Sequence, residues 1–96
     1  MNRDFKTGDI VKHFKRETIS KEEIKNNPNI YMYEIIGISR HTENGEKLVI
    51  YKPLYETDCV NGVDYAARPY DMFLSEVDHE KYPNVKQKYR FEKVEK

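Results

Sequence analysis

Two side chains that can exchange protons lie close together in the sequence, His41 and Glu43. Histidine titrates near neutral pH and a neighbouring carboxylate raises its basicity, so the pair can act as a general acid and base. In the alternative interpretation, both side chains flank an exposed turn, where Glu43 faces Glu46 and the charges are solvated. The sequence leaves both interpretations open.

A second candidate is Arg68, which is followed by Pro69 at the end of a predicted strand. A following proline restricts the backbone, and a guanidinium is well suited to a planar carboxylate or a phosphate. Arg68 is therefore a candidate anion clamp. The alternative is a structural role, in which Arg68 pairs with Asp71 or Glu43 and anchors the turn to the sheet.

Tyrosines can supply an aromatic wall beside these groups. Tyr51 and Tyr55, with Tyr70, can stack a base, a proline-rich peptide or a methylated amine. In a chain with eight tyrosines and no tryptophan, the same residues also suit the half-buried edge of a core. We keep Tyr51 and Tyr55 as candidate binding residues.

Standard catalytic and metal-binding motifs do not occur in the chain. The three histidines, His13, His41 and His79, have no recognisable ligand spacing, so we expect no metal and no other cofactor. Cys59 stands beside Asp58, whose carboxylate disfavours the thiolate needed for nucleophilic catalysis. There is no phosphate-binding glycine loop, no G-x-S-x-G and no H-E-x-x-H sequence.

Composition limits the class of protein. The chain has 96 residues, with 17 basic and 17 acidic side chains and 12% aromatic residues, which predicts one folded domain over residues 1–96. Zero net charge makes strong general nucleic-acid binding unexpected. No apolar run reaches about 20 residues and the N-terminus does not resemble a signal peptide, so we expect a cytoplasmic protein.

The stretch 31–55 predicts a β-hairpin, because two β-rich runs flank Asn44-Gly45. With a two-residue turn there, Glu43 would face Glu46 and Arg40 would face Val49. Gly37 in mid-strand predicts a bend or bulge.

Further strands are predicted at 9–14, 63–67, 73–77 and 88–94, with a tight turn at 68–73 and a loop at 79–87. A polar insertion spans residues 16–30, where Ser20 and Glu23 form a capping box for a short helix that ends before Pro28. The pattern favours an all-β fold, a small SH3-like barrel of about five or six strands with a short helical insertion after the first strand. A twisted two-layer β-sheet is the alternative.

The whole pattern resembles a family of short bacterial proteins catalogued as domain of unknown function 1653. Where that family has Trp-Val before an Arg-Pro pair, this chain has Ala66-Ala67, and its S-E-T segment after a histidine becomes Thr42-Glu43-Asn44. The resemblance implies a shared fold and a shared site, without implying an activity. It rests on seven elements in order: His13-Phe14-Lys15, His41-Thr42-Glu43, Val49-Ile50-Tyr51, Leu54-Tyr55, Ala67-Arg68-Pro69, Met72-Phe73 and Arg90-Phe91.

For function we predict a noncatalytic binding module that recognises an anionic small molecule, a peptide or a nucleic-acid element. The alternative is a small enzyme with His41 and Glu43 as acid and base and Arg68 as an anion clamp. A structural accessory protein is a third interpretation, in which an exposed edge strand pairs with a second copy in a homodimer. The predicted binding residues are Arg68, His41, Glu43, Tyr51 and Tyr55.

Overall fold

One antiparallel sheet of five strands forms the framework of the protein. We describe residues 5–57 and 60–94 of a computed structural model, so Asp58 and Cys59 lie outside the described residues. The strand order is β4-β3-β2-β1-β5. The strands are β1 (Ile10–His13), β2 (Met32–Arg40), β3 (Lys47–Pro53), β4 (Ala66–Pro69) and β5 (Phe91–Lys93).

The β-rich fold class is confirmed, but the predicted SH3-like barrel is not. In the described part of the chain, β4 and β5 each pair on one side only, and no pairing between them closes the sheet. Both edge strands are short, with four and three residues, and β4 ends at Pro69, which has no N–H to donate. The sheet nevertheless curls, since the β4 side chain Arg68 lies over the ring of Phe91 from β5.

The hairpin forms where it was predicted, with a wider loop. Arg40 pairs with Lys47, and Ile38 pairs with Val49, so the expected two-residue turn is wrong and the register is shifted by two residues. The reason lies in residues 41–46, where the His41 N–H donates to the carbonyl of Glu46 and the Gly45 N–H donates to the carbonyl of His41. A shift of two residues keeps each side chain near the loop on its expected face.

Gly37 marks the irregularity in β2, as its position in the sequence predicted. Gly37 pairs with Ile50, whereas Ile35 pairs with Tyr51, so the register changes between these two β2 residues. The extra residue moves Ile35 to the face of Val49 and Tyr51. The bulge therefore places Ile35 fully in the core, on the side opposite to the one predicted.

The polar insertion contains two short helices. A 3₁₀ helix spans Phe14–Thr18 and was not predicted. His13 caps this helix by accepting a hydrogen bond from the Lys15 N–H. Because the helix begins at Phe14, the first strand ends one residue earlier than predicted. Helix α1 spans Lys21–Asn26, and the Ser20 hydroxyl accepts from the Glu23 N–H at 3.2 Å. The predicted N-cap is thus confirmed.

The later elements are shorter than predicted. The strand expected at 63–67 is β4, Ala66–Pro69, and the single turn expected at 68–73 is helix α2, Tyr70–Phe73. The strand expected at 73–77 is reduced to one bridge between Glu76 and Tyr89. None of the helices in the described ranges is long and apolar enough to cross a membrane.

Aromatic side chains fill the core on one face of the sheet. Phe73 stacks on Phe91 with ring centroids 4.0 Å apart, and the Tyr51 ring packs against both. Burying rings of this size contributes about 1.5 to 3 kcal/mol each. A second, smaller cluster of Phe14, Val77 and Val85 lies against Tyr82 and supports the loop that precedes β5.

Candidate functional site

A concave cleft of about 280 Å³ opens beside the end of β1. Three separate segments supply its walls, and most of its polar side chains are cationic. Because these segments are far apart in the chain, only the folded sheet brings them together. The lining consists of His13, Phe14 and Lys15 from the β1 end and the 3₁₀ helix, Arg68 from β4, and Asp78, Lys81, Tyr82 and Arg90 from the segment leading to β5.

The segment 77–90 is fixed to the rest of the fold by two polar side chains. The carboxylate of Glu17 accepts hydrogen bonds from the N–H groups of Lys86 and Gln87, at 2.9 and 2.7 Å. These contacts connect the 3₁₀ helix to a segment that lies about 70 positions further along the chain. The segment that carries Lys81 and Tyr82 is therefore anchored to the 3₁₀ helix that carries Lys15.

Gln87 is the second anchor and is only 6% exposed. Its side-chain amide donates to the carbonyls of Lys12, Tyr89 and Arg90 at 3.1, 2.8 and 3.3 Å. A buried amide with such partners offsets its own desolvation, and it shares the Arg90 carbonyl with the N–H of Phe14. Nothing in the sequence distinguishes Gln87 from a surface glutamine.

Arg68 is held rigidly on the core side of β4. Its Nε donates to the hydroxyl of Tyr51 at 2.8 Å, and its guanidinium carbon lies 5.5 Å from the centroid of the Phe91 ring. The hydrogen bond uses one of five guanidinium hydrogens. Within the described ranges the other four, on the two Nη atoms, have no protein acceptor.

Arg90 contributes the second guanidinium. Its backbone is fully engaged: the N–H donates to the Ser75 carbonyl, and the carbonyl accepts from the N–H of Phe14. The side-chain Nε is buried and has no hydrogen-bond partner among the described residues. Buried donors without a partner cost about 1 to 3 kcal/mol. The Arg90 side chain lines the cleft, but its Nε atom is shielded within the fold.

Among the described residues, no carboxylate forms an ion pair with the cations of the cleft. Three ion pairs form within residues 5–57 and 60–94, and none includes Lys15, Arg68, Lys81 or Arg90. The ion pair of Arg68 with Asp71 or Glu43, considered from the sequence, is absent from the described residues. The single carboxylate of the lining, Asp78, uses one oxygen to accept from the N–H groups of Glu80 and Lys81.

His13 contributes a neutral imidazole to this group. It is 7% exposed, and burial, followed by the positive charges of Arg68, Lys15 and Arg90, lowers its pKa from 6.5 to about 4. The Nδ1 atom accepts a hydrogen bond from the Lys15 N–H at 3.1 Å. In the neutral ring the proton must then sit on Nε2, so His13 can only donate from that atom.

His41 and Glu43 lie in the hairpin loop, and neither is among the residues that line the cleft. The Nδ1 atom of His41 accepts from the backbone N–H of Glu43 at 3.1 Å. This contact closes the loop locally and does not involve the Glu43 carboxylate. The structure therefore places the two predicted acid–base residues apart from the cleft that contains Arg68.

The two predicted aromatic residues both pack against the ring of Tyr33, and neither is among the residues that line the cleft. Tyr51 is 4% exposed and contributes its hydroxyl, which orients Arg68, while its ring belongs to the core. Tyr55 is half-buried, and its hydroxyl shares a hydrogen bond of 2.8 Å with that of Tyr33. Tyr70, considered as a third member of the wall, lies under the ammonium group of Lys47, 4.1 Å from the ring centroid.

Sequence reasoning missed His13, Lys15, Lys81 and Arg90 as members of the site. A signal for three of them was present, because His13-Phe14-Lys15, Arg68-Pro69 and Arg90-Phe91 were all noted as separate elements of the resemblance. Their meeting depends on the pairing of β1 with β5, where His13 faces Phe91. Lys81 stands in a polar loop and had no such signal.

Metal binding has no support in the described part of the chain. No three histidine, cysteine, aspartate or glutamate side chains of residues 5–57 and 60–94 are grouped closely enough to hold an ion. Cys59 lies outside these residues, so the prediction that it is not a nucleophile stays a prediction.

Comparison with known proteins gives one result. Searches of curated proteins and of solved structures found no match. A protein-family model described as a protein of unknown function, DUF1653, matches residues 9–93. That range includes all five strands and every residue of the cationic cleft, and it agrees with the resemblance found in the sequence. The chain belongs to the DUF1653 family.

Proposed function

We propose that this protein is a noncatalytic binding module for an anionic ligand, which it holds in the cleft that contains Arg68. The observation that carries the proposal is the charge of the lining. Four cationic side chains, Lys15, Arg68, Lys81 and Arg90, share one concave surface with the single carboxylate of Asp78. An anion is the ligand that such a surface attracts most strongly.

The rigidity of Arg68 supports the same function. A flexible surface arginine loses side-chain entropy when it binds, whereas Arg68 is already oriented by Tyr51 and Phe91. Preorganised guanidinium groups bind carboxylates and phosphates through short, charge-assisted hydrogen bonds. The concave shape favours a small ligand over an extended peptide or nucleic acid. A cytoplasmic location remains part of this proposal.

The alternative of a small enzyme gains no support from the described residues. A general acid or base must lie within hydrogen-bond reach of the reacting group. His41 and Glu43 belong to the hairpin loop, and the imidazole that does line the cleft, His13, already uses its Nδ1 lone pair to accept from the Lys15 N–H. Binding without chemistry is the function that this geometry supports best.

The direct test is thermal unfolding in the presence of phosphate, sulfate or citrate, at constant ionic strength set with chloride. An anion at about 100 times its Kd adds about 2.7 kcal/mol to the free energy of unfolding, which raises Tm by roughly 10 to 20 °C in a domain of this size. The variant Arg68→Gln should lose most of this shift.

Arg40→Gln is the matched control. Arg40 is an exposed arginine whose Nη1 donates to the Gly45 carbonyl at 2.8 Å, so its replacement removes the same charge outside the cleft. The control should keep the full shift. Equal losses in Arg40→Gln and Arg68→Gln, or no anion-dependent shift in the wild type, contradict the proposal.

A further inference from the structure

We infer that the ligand of the cleft is a small phosphate monoester in its dianionic form. The inference rests on the proposed anion-binding function and specifies its chemical class. The inference is based on three properties of the cleft. Its positive charge, its hydrogen-bond donors and its size match the negative charge, the acceptor oxygens and the size of a terminal phosphate group.

Charge is the first argument. The four cations of the lining exceed its one carboxylate by three positive charges. A single carboxylate or sulfonate would neutralise one of these three charges and leave two positive charges uncompensated. A phosphate monoester carries nearly two negative charges at neutral pH. It therefore compensates the cleft better than any monoanion.

The supply of donors is the second argument. The two Nη atoms of Arg68 carry four hydrogens without an acceptor in the described ranges, and a second guanidinium, that of Arg90, also lines the cleft. The ammonium groups of Lys15 and Lys81 add further donors, while His13 adds an Nε2–H. A terminal phosphate has three acceptor oxygens, each able to accept more than one hydrogen bond. A carboxylate has only two oxygens, so it would leave more of these donors unused.

His13 also argues for a ligand that accepts hydrogen bonds. With Nδ1 occupied by the Lys15 N–H, the ring can offer the cleft a donor but no acceptor. A phosphate oxygen can receive that hydrogen bond. A ligand cation would meet four cationic side chains and a single carboxylate, that of Asp78.

Asp78 and the cleft volume limit the size of the ligand. Asp78 lines the cleft together with Lys81 and Tyr82, and its negative charge opposes the additional phosphates of an extended polyanion. The volume of about 280 Å³ lies at the lower end of small-molecule sites. These features favour a compact monoester over a phosphorylated protein or a nucleic acid.

Isothermal titration calorimetry with three ligands that share one phenyl ring tests the inference. At pH 7.5 and constant ionic strength, phenyl phosphate should bind at least about tenfold more tightly than benzoate and benzenesulfonate. Lys81→Gln and Lys15→Gln should each weaken phenyl phosphate severalfold, and both residues are exposed, so the variants should remain folded. Arg40→Gln should bind as the wild type does.

Each contrary result has a separate meaning. If benzenesulfonate or benzoate binds as tightly as phenyl phosphate and depends equally on Lys81, the phosphate inference is wrong while anion binding stands. Tighter binding of a phosphopeptide or an oligonucleotide that depends on Lys81 overturns the inference in favour of a macromolecular partner. If none of these ligands, nor inorganic phosphate or sulfate, binds the wild type, the proposed function and the inference fail together.

Discussion

The buried imidazole of His13 makes the stability of this fold depend on pH. In the unfolded chain a histidine has a pKa near 6.5, whereas in the fold burial and the charges of Arg68, Lys15 and Arg90 lower the pKa of His13 to about 4. Between these values the unfolded state binds a proton that the folded state does not. The free energy of unfolding therefore falls as pH decreases from about 6.5 towards 4, and recovers fully above 6.5.

The size of the effect follows from the pKa difference. Each unit of pKa difference corresponds to about 1.4 kcal/mol, so the shift of His13 from 6.5 to about 4 corresponds to a loss of about 3 kcal/mol across the whole window. Small domains have total stabilities of roughly 5 to 15 kcal/mol. Titration of one residue thus removes a large fraction of the stability before most carboxylates become protonated.

Urea unfolding at pH values between 7 and 4.5 measures this contribution, with His13→Asn as the comparison. Asparagine does not titrate, and it can accept the Lys15 N–H as an N-cap residue. The variant should be less stable at pH 7, because it loses the ring contact with Phe91 at 4.8 Å. Its stability should nevertheless fall much less than that of the wild type between pH 6.5 and 5.

His79→Asn is the control for the loss of a histidine, since His79 is exposed and lies outside the cleft lining. It should retain the pH dependence of the wild type. The reasoning is refuted if His13→Asn and the wild type lose stability equally between pH 6.5 and 5. A midpoint near 6.5 for His13 in an NMR titration of the ring protons would refute it as well.

Other substitutions test how the fold positions the cleft. Gln87→Leu should lower the free energy of unfolding by about 1 to 3 kcal/mol and weaken anion binding, because the hydrogen bonds from the Gln87 amide to the carbonyls of Lys12, Tyr89 and Arg90 are lost. Lys86→Ala, measured by the same urea titration, should do neither. Gly45→Ala should lower the free energy of unfolding by about 1 kcal/mol, because Gly45 has φ +74°. Gly37→Ala should be nearly neutral, because the added Cβ would lie 3.8 Å from the Thr7 Oγ1 atom, an ordinary contact distance. Equal losses of stability in thermal unfolding would contradict this reasoning. Ser20→Ala should cost about 1 kcal/mol through loss of the cap, and an unchanged Tm would show that α1 adds little to stability.

Local patterns predicted much of the fold. The Ser20 cap, the helix that follows it and the bulge at Gly37 depend on residues close together in the chain, where the physical rules are strong. The two-residue turn at Asn44-Gly45 was wrong because backbone and side-chain hydrogen bonds of the loop stabilise a wider connection, including one from the Glu46 N–H to the side chain of Asn44.

The candidate site was harder to predict because its residues meet only through long-range pairing. Arg68 could be recognised from its proline and its place at the end of a strand. Arg90 and Lys15 reach the cleft because β1 pairs with β5 at the edge of the sheet, which no local pattern specifies. His41 and Glu43 are close in sequence, but the His41 ring accepts a hydrogen bond from the backbone N–H of Glu43 and not from its side chain.

The most direct test of anion binding at the cleft is a titration of the ¹⁵N-labelled protein with inorganic phosphate, followed by amide chemical shifts at constant ionic strength. We predict saturable shifts concentrated at residues 13–15, 68, 78–82 and 90, with little change at 41–46. These shifts should disappear in Arg68→Gln and remain in Arg40→Gln. Shifts that rise linearly without saturation, or that centre on the hairpin loop around His41, would contradict the account.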